Sequence, residues 1–139
     1  NSLFACEIEC GTFFNANDLS FLHWQHYKGT EKMFGLSNEL SGYEGFVTFK
    51  TYELSTNKWH AMAKTSIITQ RHVIKVLEKA YISQELYARC AISGLDNRPY
   101  SEFGYGFGNI LGQLRATCFV SFCGNDFRKV EFRMGADIK

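Results

Sequence analysis

A two-residue period near the end of the chain constrains folding most. Ala116, Cys118, Val120 and Phe122 recur at every second position, and Val130, Phe132 and Met134 do so again after Gly124-Asn125-Asp126. A helix would scatter these side chains around its circumference, whereas a strand aligns them on one face. The pattern predicts a β-hairpin whose apolar face meets the core. Arg115, Arg128, Lys129, Glu131 and Arg133 are then expected at its ends or on its wet face. Phe4, Cys6, Ile8 and Cys10 alternate with Ala5, Glu7 and Glu9 in the same way and predict a half-buried N-terminal strand.

The middle of the chain reads as more mixed. Gly45 to Leu54 and Trp59 to Ile68, separated by Ser55-Thr56-Asn57-Lys58, predict a second hairpin with Trp59, Ala61, Ala63, Thr65 and Ile67 on one face. Asn17-Asp18 offers an N-cap for a helix ending near Gly29. Thr69 is expected to open a longer helix, because Val73, Val76, Leu77, Ala80 and Tyr81 form one stripe at helical spacing. Ser83 is expected to cap a shorter helix carrying Leu86, Tyr87, Cys90 and Ala91, stopped by Gly94. Leu95 to Pro99 reads as a loop. The expected fold is therefore α+β: an antiparallel sheet of two hairpins plus the N-terminal strand, with two or three helices packed on one face.

A chain of 139 residues, 45% hydrophobic and 21% charged, supports a single domain over residues 1–139 with its own core. No apolar run approaches the length of a membrane-spanning helix, so no membrane partner is expected. A formal net charge of +1 gives no electrostatic case for nucleic acid or anionic lipid. The five cysteines, an odd count at irregular spacing, argue against a disulfide framework and for reduced thiols. With no basic segment and apolar run at residue 1 onward, the expected location is cytoplasmic.

Three constellations bear on chemistry. Cys6, Cys10, His23 and His26 approach the spacing of a two-Cys, two-His zinc module. On one strand face, however, Cys6 and Cys10 stand roughly 13 Å apart, too far for one ion. No metal or cofactor is expected. Cys123, beside Gly124 in an expected turn, is expected to be exposed, but no oxyanion loop accompanies a Cys–His pair. The third is Ser101-Glu102-Phe103-Gly104-Tyr105-Gly106-Phe107-Gly108. Extended, it lines Phe103, Tyr105 and Phe107 along one face. Gly104 to Phe107 also matches the centre of the aromatic signature of the RNA-recognition motif, without its flanking basic and apolar positions. The plainer reading puts the aromatics in the core, with glycines admitting a neighbour.

Gly45 to Lys50, preceded by Phe34-Gly35 and Glu39, resembles the strand that carries the metal-binding His in viral rolling-circle replication initiators. Gly42 or Tyr43 occupies the His position, and Cys90 stands where a Lys would follow Tyr87. The resemblance implies a catalytically inactive relative that keeps a nucleic-acid-binding fold.

With no complete catalytic constellation, the expected function is non-enzymatic. The leading expectation is a binding protein that presents Phe103, Tyr105, Phe107, Trp24 and Trp59 to a protein partner or to a second copy of itself. The alternative is a nucleic-acid module using Tyr105 and Phe107 with Arg71, Lys75, Lys79, Arg128 and Lys129. A Cys/His metal-site protein or enzyme is the third.

Overall fold

The alternation is drawn out into long strands that pair as a meander. The computed structural model describes residues 2–14, 20, 25–26, 46–48, 55–72, 81–95, 97–110 and 114–136. Their strands are β1 (Ser2–Gly11), β2 (Gln25–His26), β3 (Ser55–Thr56), β4 (His60–His72), β5 (Tyr81–Ser93), β6 (Tyr100–Ile110), β7 (Leu114–Cys123) and β8 (Asp126–Ala136). Six of them form one antiparallel sheet in the order β1-β4-β5-β6-β7-β8, while β2 and β3 pair separately.

The register fixes two faces, because directly paired residues project to the same side. One row across the sheet is Cys6, Thr65, Ala88, Phe103, Val120 and Val130; the next is Phe4, Ile67, Leu86, Tyr105, Cys118 and Phe132. This is the outer face. One residue along each strand, the opposite face carries Glu7, Lys64, Arg89, Glu102, Ser121 and Lys129 in one row. This inner face is covered at Glu102 by the segment Phe46-Val47-Thr48, whose three residues are buried.

The structure is all-β, so the α+β expectation is overturned: no helix occurs among the described residues. Ser83, Leu86, Tyr87, Cys90 and Ala91, expected on a capped helix, lie in the middle of β5. A strand with apolar residues on both faces reads like a short helix, since Leu86 and Cys90 project outward and Tyr87 and Ala91 inward. Hydrogen bonding along both edges, to β4 and β6, decides the matter. Thr69 to His72 and Tyr81, the ends of the expected longer helix, are also strand; residues 73–80 lie outside the described residues. So does most of the expected helix from Asn17 to Gly29, of which Gln25 and His26 form β2.

The expected hairpin around residues 55–58 does not form either. Phe46 to Thr48 are not in a strand, and β4 pairs instead with β1 and β5. The hairpin of β7 and β8 does form, with Gly124 at φ 60° in its tight turn, a left-handed conformation that glycine adopts without Cβ strain. Arg128 lies at a register shift between β7 and β8.

Candidate functional site

Which face is buried is the surprise of this sheet. Phe4, Ile8, Phe132 and Met134 are between 65% and 77% exposed, whereas Glu85, Arg89 and Glu102 are at most 3% exposed. The apolar side of the sheet lies open, and on the central strands β5, β6 and β7 the charged side is covered, whereas Glu7 on β1 and Lys129 on β8, at its edges, stay exposed.

The charged side is organised as pairs. Arg89 Nη1 donates to Glu102 Oε1 at 2.9 Å, and Arg115 Nε to Glu85 at 3.1 Å. Lys64 pairs with Glu7 at 2.9 Å, Lys129 with Glu131 at 2.8 Å, and Arg133 also with Glu131. Ser83 and Tyr87 hydroxyls donate to Glu85 at 3.2 and 2.7 Å. A buried charge is tolerated only when paired and hydrogen-bonded in this manner.

The glycines of β6 make room for this network. A Cβ on Gly104 would stand 2.3 Å from the Phe119 ring, and one on Gly108 would stand 2.1 Å from a Glu85 carboxylate oxygen. The Gly–aromatic alternation therefore has two purposes at once. Glycines admit side chains from β5 and β7 on the inner face, and Phe103, Tyr105 and Phe107 project from the outer face, each 43–52% exposed.

Glu102 is the hub. Its carboxylate accepts from Val47 N at 2.9 and 3.0 Å, and from Thr48 N and Thr48 Oγ1, both at 2.8 Å. Arg133 Nη2 donates to the Val47 carbonyl at 3.2 Å. Phe46 packs edge-on against Tyr100 at 5.6 Å, and Val47 joins Tyr87 and Phe119 in a small apolar cluster.

Tyr100 sits beside this hub, with its hydroxyl hydrogen-bonded to Thr48. Burial pushes its phenol from 10.0 up to about 12; the Thr48 bond works against the shift and the Glu102 charge adds to it. The folded value exceeds the unfolded one, so the fold favours the protonated phenol. Its stabilising contribution is complete below about pH 10 and is lost as the pH rises towards 12. Absorbance titration of the wild type against Tyr100→Phe should show this phenol ionising near 12, with pH-dependent destabilisation confined to that window.

The residues singled out from sequence are dispersed. Phe103, Tyr105 and Phe107 share the outer face, and Trp59, 45% exposed, precedes β4. Trp24, Lys75, Lys79 and His23 lie outside the described residues. Lys129 is on the inner side of β8, and the Arg128 guanidinium lies 5.7 Å from the centre of the Tyr100 ring. Cys6 and Cys10 both project from the outer face of β1, and His26 is on β2. Among the described residues, no group of three or more His, Cys, Asp or Glu is placed to hold a metal. The inner-face roles of Glu85 and Glu102 went unrecognised in the sequence, and Arg115, expected at an end or on the wet face, is buried instead. Their only signal was charge alternating with apolar residues, which reads equally well as a wet face.

The fold is thus an antiparallel β-meander sheet with a paired, charged inner face and an apolar outer face. Residues 2–107 match the C-terminal domain of a family of unknown function, DUF5686, and the chain belongs to that family. No curated protein and no solved structure matches it.

Proposed function

We propose that this sheet is part of the wall of a membrane-spanning β-barrel, with lipid acyl chains against its outer face. One observation carries the reading. On the described outer positions from Cys10, Ala61 and Ile92 to Thr69, Gln84 and Phe107 there is no charged side chain, while Glu7, Glu9, Lys64, Glu85, Arg89, Glu102, Arg115, Glu131 and Arg133 take inner positions. Outward-apolar, inward-polar alternation is the pattern of transmembrane barrel strands. A water-facing sheet would bury the first set and expose the second, and large contiguous apolar patches are rare on soluble proteins.

Dimensions and aromatic placement agree. Between Ala61 and Thr69, β4 advances ~27 Å at ~3.4 Å per residue. Tilted by ~40°, this covers most of an apolar band ~25 Å tall. Trp59, Phe122 and Phe127 lie near one end of the strands. Towards the other end are Tyr105, whose hydroxyl accepts from Gln84 Nε2 at 3.0 Å, and Phe107. Girdles of aromatic residues mark both membrane–water boundaries of such barrels, with Trp and Tyr as the amphipathic members. No described helix is long and apolar enough to cross a membrane, a criterion that does not bear on strands. β1 and β8, the edges of the described sheet, are where such a wall would continue.

Native thiols provide the test. Cys6, Cys90 and Cys118 project from the outer face and are free. In lipid vesicles they should resist a charged, water-soluble thiol reagent and react with an apolar maleimide. Both reagents should label them in urea. Labelling by the charged reagent in vesicles would sink the proposal, and resistance to both would mean that protein, not lipid, covers this face.

A further inference from the structure

We propose that Phe46-Val47-Thr48 is a strap that closes the space behind the wall, with Glu102 and Arg133 as its clasp; the inference rests on the barrel reading. The segment belongs to the connection between β1 and β4, and beyond the packing of Phe46 on Met62 of β4 it is held by β5, β6, β7 and β8. It adds no strand to the sheet. Its grip is concentrated on its own backbone: the Val47 and Thr48 N–H groups both donate to the Glu102 carboxylate, and the Val47 carbonyl accepts from Arg133.

That geometry differs from ordinary core packing. Glu102 Oε1 and Oε2 together receive Val47 N, Thr48 N and Thr48 Oγ1, in addition to Arg89. Charge-assisted bonds of this kind are about twice as strong as neutral ones. Releasing the strap would remove most of the donors of one buried carboxylate at once and open the inner face to water, which would resolvate it. Two discrete arrangements follow, seated and released. While the strap is seated, all three of its residues are at most 3% exposed.

The test pairs amide hydrogen exchange with ion conductance across planar bilayers in potassium chloride, using the full chain. In the wild type, the Val47 and Thr48 amides should be protected and conductance low. Glu102→Gln should accelerate exchange at both amides by ~10-fold or more, the loss expected for a bond to a charged acceptor. It should raise conductance in parallel, while β7 amides stay protected. Arg133→Gln, which removes the bond to the Val47 carbonyl together with the ion pair to Glu131 but leaves the Glu102 carboxylate in place, should give a smaller change of the same sign and covers the case in which Glu102→Gln does not fold. Unchanged exchange in these variants, or faster exchange with unchanged conductance, would overturn the strap. A wild type that fails to enter the bilayer would remove the barrel reading and the strap with it.

Discussion

Val120→Arg should sharply weaken folding into lipid bilayers. Val120 lies on the outer face of β7, flanked in its row by Phe103 and Val130. The adjacent outer positions Cys118 and Phe122 carry no charge either. Among the described residues no carboxylate shares its face, so a guanidinium there must reach a bilayer surface or stay in hydrocarbon. At the midplane of a barrel wall the cost is about 2–4 kcal/mol, falling to about 0–1 kcal/mol near the boundary. Thr69→Arg, in the polar row of Ser2 and Gln84, should therefore cost little. Urea titration of the vesicle-folded chain should rank Val120→Arg far below Thr69→Arg and the wild type. Equal stabilities would show that this face does not meet lipid. In water the same substitution should improve solubility, so the sign of its effect separates the two environments.

Arg115→Met should be the most damaging single change on the inner face. Glu85 is 1% exposed, and among the described residues Arg115 is its cationic partner, at 3.1 Å. Among the described residues, removing the guanidinium leaves the carboxylate the Ser83 and Tyr87 hydroxyls as donors. Breaking one side of a buried ion pair typically costs about 3–5 kcal/mol, whereas replacing both sides by apolar residues is often near neutral. Glu85→Leu combined with Arg115→Met should accordingly recover much of the loss. Additive losses in the double variant, measured by equilibrium unfolding, would show that the two side chains do not act as a pair.

The two variants test opposite faces of one sheet, and the sequence showed those faces unequally. The β7–β8 hairpin was legible because Ala116 to Phe122 and Val130 to Met134 alternate on either side of Gly124-Asn125. β1 was legible for the same reason. β5 was not, because Leu86, Tyr87, Cys90 and Ala91 satisfy helical spacing as well as they satisfy a strand with apolar residues on both faces. The segment Phe46 to Thr48 looked like strand by composition. It is claimed instead by Glu102 across the sheet, 55 residues from Val47, a contact no local pattern encodes.

The aromatic–glycine stretch shows the division most plainly. Its alternation already put Phe103, Tyr105 and Phe107 on one face and Gly104, Gly106 and Gly108 on the other. It left open which face is covered. The expectation that apolar means inside placed the aromatics in the core or against a partner, and the charges in water.

The sequence by itself determined periodicity, and with it which residues share a face, because pleating is local geometry. Only the tertiary structure decided the direction of that face. Glu102, Glu85, Arg89 and Arg115 find one another across neighbouring strands, and their pairing makes it favourable to cover the charged side. Pairing between strands is a property of register and strand order, which alternation alone does not contain.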